Sequence, residues 1–291
     1  MNVLVTGSNG QLGKELRSLD GKYKHIRLYF TDIMELDICN YEQLESFLKE
    51  RKINSVINCA AFTSVENAEI NSKKANKINF DGVVNIVNAL NKLGGKLIHI
   101  STDYVFDGKN HIPYSEEDNT NPVGVYGKSK RMGELAIIDS GIDGIIIRTS
   151  WLYSAYGRNF VKTMLELGSK NNSIDVVYDQ TGTPTYARDL AITCLKILSQ
   201  TMNKNIKKNG YLYHYSNEGV ASWYDLAHST FEISGLNCKI KPVCTKDFPT
   251  LAKRPEYSVL NKSKIKSDFN IEIPHWRDSL IDCIKEIKIN K

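Results

Sequence analysis

The chain has 291 residues, 41% of them hydrophobic and 24% charged, enough to bury the core of one large domain or of a main domain with a smaller lobe. Its net charge of +5 comes from 38 basic and 33 acidic residues. These are interspersed, which argues against a nucleic-acid surface; the densest basic stretch, Asn203 to Lys208 before Asn209-Gly210, reads as a solvated turn.

No apolar run is long enough to cross a bilayer, and Met1-Asn2-Val3-Leu4-Val5 enters a strand pattern without a basic leader. Neither a membrane anchor nor a secretory signal is expected, and the chain is assigned to the cytoplasm. Six cysteines are scattered without a Cys-x-x-Cys pair or a histidine at finger spacing, so they are expected to be reduced and structural.

In chain order, strands are predicted at 2–6, 25–30, 55–58, 96–100 and 144–148, with amphipathic helices near 11–19, 40–51, 73–93 and 122–139. This alternation predicts an α/β fold, a doubly wound parallel sheet of Rossmann-like type covered on both faces. Ile145-Ile146-Ile147 fits a strand buried on both sides. After Ser150 the pattern loosens. Trp151 to Tyr156 is aromatic and irregular, Asn159 to Leu167 predicts a helix, and Asp179 to Thr185 a turn-rich loop. Strand candidates at 211–215 and 239–243 then sit among helices near 186–199, 221–234 and 276–288. No Gly/Ser- or Pro-rich tether is present. The expected division is a dinucleotide-binding domain over 1–150 and a smaller substrate lobe over 151–291, with segments interleaved into the main sheet.

Directly after the first strand stands Thr6-Gly7-Ser8-Asn9-Gly10-Gln11-Leu12-Gly13. Gly7, Gly10 and Gly13 permit a tight turn, close backbone approach to a pyrophosphate, and close packing of helix on strand, while the helix N-terminus offers N–H groups to the anion. The spacing is Gly-x-x-Gly-x-x-Gly rather than Gly-x-Gly-x-x-Gly, and a plain strand–helix turn is the alternative. Asp32, at the end of the second strand, is placed to accept hydrogen bonds from adenosine ribose hydroxyls and to repel a 2′-phosphate, favouring NADH; Glu35 and Asp37 offer alternative carboxylates. Tyr126 and Lys130 stand four apart on a predicted helix, so one face carries both. An ammonium held close to a phenol favours the phenolate and would lower the tyrosine's pKa towards neutrality.

Three further runs join these: Asn58-Cys59-Ala60-Ala61-Phe62-Thr63, Ser101-Thr102-Asp103-Tyr104-Val105-Phe106, and Tyr126-x-x-x-Lys130. Together they resemble the extended short-chain dehydrogenase/reductases. Gly10-Gln11-Leu12-Gly13, Arg148-Thr149-Ser150-Trp151, Asn159 to Met164, Asp179-Gln180, Pro184-Thr185 and Arg254-Pro255 extend the likeness nearly end to end to the dTDP-4-dehydrorhamnose reductase family within them.

The resemblance implies NADH or NADPH as cofactor and a dTDP-sugar as substrate, whose C4 keto group is reduced. It implies Tyr126 as proton donor, Lys130 as the residue holding the nicotinamide ribose and lowering the tyrosine pKa, and Thr102 as hydrogen-bond donor to the developing oxyanion. Cofactor contacts are implied at Gly10, Gln11, Leu12, Asp32, Asp37, Ile38, Ala61, Phe62 and Thr63, with Tyr126 and Lys130. On the substrate side it points to Thr102, Asp103, Trp151 and Arg254, the last through the fit of guanidinium to phosphate. Capping of local backbone, lobe anchoring and a surface salt bridge are the alternative readings of Thr102, Trp151 and Arg254; Ala61 and Phe62 also fit an ordinary core.

Some details separate the relatives. Nucleotide-sugar 4,6-dehydratases follow Thr-Asp with Glu; here that place is Tyr104, which favours reduction over elimination. Glu66 stands where the family has Asp, and Gly124 where a larger polar residue is usual. An epimerase, a reductase of another 4-keto sugar, and a binding subunit resembling the regulatory subunit of methionine adenosyltransferase are the competing readings. Some relatives resemble dimers joined through a carboxylate-bound Mg²⁺; no carboxylate cluster stands out here for it, and monomer and homodimer both stay open.

Overall fold

The structure, a computed structural model, describes residues 1–201 and 212–289. The basic stretch at 203–208 and the Tyr211 end of the strand expected at 211–215 lie outside the described residues. Five parallel strands, β1 (Asn2–Thr6), β2 (Arg27–Phe30), β3 (Ser55–Asn58), β4 (Lys96–Thr102) and β5 (Asp143–Thr149), form the sheet in the order β2-β1-β3-β4-β5. A sixth strand from the second half of the chain, Leu212–His214, pairs parallel with β5. The chain winds outward from β1 to β2 and then returns past β1 to β3. The switch point of the doubly wound sheet therefore lies at the carboxyl ends of β1 and β3.

Side chains alternate across the pleat and build two apolar layers. Val3, Val5, Ile57, Ile98, Ile145 and Ile147 pack with Leu12 and Leu16 of α1 (Gln11–Ser18) and with Leu190 and Leu195 from a later helix. On the other face Leu4, Val56, Leu97 and Ile146 meet Leu44 and Leu48 of α2 (Tyr41–Glu50). Each such fully buried aliphatic side chain contributes about 1.5–3 kcal/mol, and β5, buried on both faces, carries the unbroken apolar run Ile145-Ile146-Ile147.

The helix expected near 73–93 is in fact composite. A short α3 (Val65–Ile70) precedes α4 (Ser72–Asn76), a π-helical turn at Lys77–Asp81, and α5 (Gly82–Leu93). Within the widened turn, buried Asn79 accepts from Phe62 N at 2.8 Å and donates to the Phe62 carbonyl at 3.1 Å and to Ser129 Oγ at 2.9 Å. Periodicity near 3.6 does not distinguish a single π turn from α-helix. The helix expected near 122–139 is α6 (Val125–Ser140), which starts only after Gly124.

Beyond β5 come α7 (Phe160–Lys170), α8 (Ala187–Thr201), α9 (Trp223–Ser234), α10 (Ser263–Phe269) and α11 (Trp276–Ile289). Helices α8 and α10 cover the first face of the sheet, while α7, α9 and α11 gather around separate apolar clusters. The strand at Lys239–Val243 pairs parallel with Ser173–Val177 in a two-stranded sheet of its own. Residues 221–222, expected as helix, form a short strand; Ser222 then caps α9 in a reciprocal box with Asp225. Among the described residues no helix is long and apolar enough to cross a membrane. Also among them, no group of three or more His, Cys, Asp and Glu side chains is arranged to hold a metal ion.

Candidate active site

A cleft of about 900 Å³ opens at the carboxyl ends of β1, β3, β4 and β5, over the switch point. Its floor is built from backbone that no larger residue could replace. Gly7 has φ +62°, and a Cβ there would lie 2.7 Å from Ala60 Cα; one at Gly13 would lie 2.4 Å from Ser8 Cα. The loop thus lets strand, helix and cleft come within backbone contact. Gly10 caps α1 without a side chain, leaving first-turn N–H groups facing the cleft for an anion. This cradle, with Gln11 and Leu12 in the same wall, fits the pyrophosphate of a dinucleotide.

Strand β4 ends in Thr102, whose Oγ1 accepts from Tyr104 N at 3.2 Å and so starts the 3₁₀ turn Asp103–Val105. The same hydroxyl donates to Asp103 Oδ1 at 3.1 Å. Helix α6 packs against this turn so closely that a Cβ on Gly127 would lie 2.1 Å from the Tyr104 carbonyl oxygen. That contact seats Tyr126 beside the turn. Its ring meets Tyr104 edge to face, with centroids 5.6 Å apart, and its phenol faces Thr102.

Burial pushes the Tyr126 phenol up to about 12, although Thr102 works the other way. The lowered phenol expected from the Tyr/Lys spacing is therefore not what the fold produces. Lys130 is turned into the sheet, donating to the Ile100 carbonyl at 2.7 Å and lying 3.2 Å from His99 Nε2. Burial lowers its own pKa to about 8, with Glu134 and Cys59 opposing. Burial also pushes the Asp103 carboxyl up to about 6, against hydrogen bonds from Ser258 and Thr102. Desolvation outweighs charge pairing in this part of the cleft.

Most of the residues read from the sequence line the cleft: Gly7, Gly10, Gln11, Leu12, Gly13, Asp32, Asp37, Ile38, Ala61, Thr63, Thr102, Asp103, Tyr126, Lys130 and Trp151. Asp32 is already engaged, with Oδ2 accepting from Asn9 N and Oδ1 from Ile33 N, both at 2.8 Å, so it also braces the glycine loop. Trp151 adopts φ +45° and stacks on Trp223 at 3.7 Å, with Gly182 leaving room for its indole.

Two residues stand elsewhere. Phe62 packs with Ala68, Ala75 and Tyr126 behind the wall. Arg254 is not among the lining residues; it pairs with Glu66 at 2.7 Å, and its guanidinium also meets Tyr104, a residue of the cleft wall. Sequence reasoning gave no role to Lys74 and Arg158, cationic side chains that do line the cleft, nor to His99 beneath it. No local spacing flags them, because each reaches the site from a different segment.

A family model described as RmlD substrate binding domain matches residues 1–289. Over 287 residues the chain is 39% identical to a dTDP-4-dehydrorhamnose reductase of Aggregatibacter actinomycetemcomitans, covering 96% of both chains. Among solved structures it is similar to a dTDP-4-dehydrorhamnose reductase of Clostridium acetobutylicum, at TM-score 0.92 and 40% identity, covering 99% of this chain and 100% of that one. It is likewise similar to a Bacillus anthracis dTDP-4-dehydrorhamnose reductase solved in complex with NADP, at TM-score 0.92 and 37% identity, covering 98% and 99%.

Proposed function

This chain belongs to the RmlD substrate binding domain family, and on that premise we propose that it reduces the C4 keto group of dTDP-4-dehydrorhamnose to give dTDP-L-rhamnose, using NADH or NADPH. The observation that carries this reading is the convergence of Tyr126, Lys130 and Thr102 on one cleft that also holds the glycine cradle. The cofactor supplies hydride to C4 when bound. Residues 1–150 mainly carry the dinucleotide and 151–291 mainly the sugar nucleotide. The protein works in the cytoplasm, as a monomer or homodimer.

The chemistry of the chain's own residues follows from their places. A ketone that gains hydride at carbon develops charge on oxygen, and that oxygen must be met by a donor. Tyr126 is such a donor. Its high pKa keeps it protonated through neutral pH, and its phenol already lies next to Thr102, whose hydroxyl becomes the second donor once it turns from Asp103 to the substrate oxygen. Lys130 holds the nicotinamide ribose and sets a positive charge near the phenolate that proton donation leaves behind. Tyr104 occupies the place where elimination would require a second acid, and it is spent in the contact with Tyr126. Asp103 and Trp151 orient the sugar, and Lys74 and Arg158 offer cations to its diphosphate.

The test is direct. NADH and NADPH oxidation are followed with dTDP-4-dehydrorhamnose beside other 4-keto sugar nucleotides. Turnover with the first in clear preference is the expected result. Preference for another 4-keto sugar would reassign the substrate, and no oxidation with any of them would favour a binding subunit.

A further inference from the structure

We propose that His99, backed by Asn58, is a positioning residue for the Lys130 amine: it holds the ammonium in its charged form with one N–H left for the cleft. The inference rests on the assignment of Lys130 to ketone reduction. It is carried by a buried hydrogen-bonded chain that crosses three strands, from Thr6 on β1 through Asn58 on β3 and His99 on β4 to Lys130 on α6.

An ammonium has three N–H donors. At Lys130 the Ile100 carbonyl takes one at 2.7 Å and His99 Nε2, at 3.2 Å, is placed to take a second. Lys130 lines the cleft, so the third serves whatever binds there. Without His99 the amine would keep one fixed partner and could swing about the bond to Ile100.

The imidazole is itself closed to solvent, and burial followed by the Lys130 charge holds its pKa well below the usual histidine value. It is therefore neutral, with one N–H and one lone pair. In the structure Asn58 turns its Nδ2 to His99 Nδ1, 3.0 Å away, and its Oδ1 to Thr6; for Nε2 to accept from the ammonium, Nδ1 must carry the proton and that amide must turn over to present its oxygen. Turned over, the amide places its nitrogen on Thr6 Oγ1, and that hydroxyl, which here donates to Oδ1 at 2.7 Å, accepts instead. The amide orientation seen here puts the proton on Nε2 and goes with an uncharged Lys130, so charging the amine turns the amide over. Amine charge, imidazole tautomer and amide orientation thus change together.

The other ionisable groups facing the amine are few. Tyr126 lies one turn back on α6 and Glu134 one turn on, the latter held by Arg148; Cys59 faces it from the end of β3. Of these ionisable groups only His99 is in hydrogen-bond contact with Nζ.

The test combines NMR and kinetics. The ionisation of Lys130 is followed by ¹³C NMR of lysine-labelled protein, and the pH profile of kcat/KM is measured, for the unaltered chain, His99→Leu and His99→Gln. Leucine removes the lone pair, so Lys130 should lose its proton at roughly tenfold lower hydroxide concentration, a shift of about one pH unit, with the alkaline limb of kcat/KM moving equally. Glutamine, whose amide oxygen accepts, should restore most of the shift. Unchanged Lys130 ionisation in His99→Leu, or a glutamine variant that behaves like leucine, overturns the proposal.

A second measurement avoids any folding defect in the variants. Long-range ¹⁵N NMR of the unaltered protein should show the His99 proton moving from Nδ1 to Nε2 along the Lys130 titration. A tautomer independent of pH would also overturn it. Both NMR readouts stand without turnover, so an inactive protein would refute the proposed reaction and leave the His99 question decided separately.

Discussion

Glu134 and Arg148 meet in a two-pronged ion pair between α6 and β5: Nε reaches Oε1 and Nη2 reaches Oε2, each at 2.8 Å, and both side chains are closed to solvent. Ser101 donates to the same carboxylate from β4, and Arg131 from the preceding turn of α6. One carboxylate therefore fixes the helix that carries Tyr126 and Lys130 onto β4 and β5, two of the four strands whose ends open into the cleft.

Breaking that pair is the first test. Glu134→Gln leaves Arg148 charged and buried without its ion-pair partner, and should cost about 3–5 kcal/mol of stability in urea unfolding. Burial alone would raise the Glu134 pKa, but hydrogen bonds and charge from Arg148, then Ser101 and Arg131, hold it below the ordinary carboxylate value. A carboxyl depressed in the folded state contributes its stability above the unfolded pKa and loses it as pH falls through the folded one. The gap between parent and variant should accordingly shrink in acid. A gap constant down to the lowest pH at which both fold would refute this assignment.

Tyr126→Phe removes the proposed proton donor and keeps the ring against Tyr104. It should fold, bind NADPH as before, and lose about 10²–10⁴-fold in kcat. Near-normal turnover would remove Tyr126 from the chemistry.

The rate should fall as pH rises through about 8. That is where burial brings Lys130, and the amine is charged below it and neutral above. Tyr126, pushed up to about 12, stays protonated across the same range, so the alkaline limb belongs to the lysine. Lys130→Met should be slow and flat over that interval. A variant that keeps the limb would assign it to another group.

Arg254 and Arg158 make opposite predictions. Arg254 is held by Glu66 and Tyr104 just behind the cleft lining, whereas Arg158 lines it. Arg158→Ala should raise the KM for the sugar nucleotide about tenfold or more, as loss of a hydrogen bond to a charged group does, with a smaller effect on kcat. Arg254→Ala should change KM less. The reverse order would return the diphosphate to Arg254.

The likeness to known reductases, the glycine cradle and the Tyr126/Lys130 face were legible because each is local. Strand and helix periods, a loop of eight residues and a four-residue spacing are all written along the chain. The alternation of β and α segments likewise specified the doubly wound sheet. What neighbours do to one another was not legible. The π turn at Asn79 has no period that separates it from helix. The commitment of Arg254 to Glu66 joins residues far apart in the chain, and so does the approach of His99 to Lys130.

The protonation of the pair shows the division most clearly. Spacing alone placed an ammonium beside a phenol and implied an acidified tyrosine. The fold buries both groups and turns the amine toward Ile100 and His99, so desolvation raises the phenol and lowers the lysine. The sequence by itself determined which residues share the helix face. Only the tertiary structure decided their charges, because solvent exclusion depends on elements that meet across the sheet rather than along the chain.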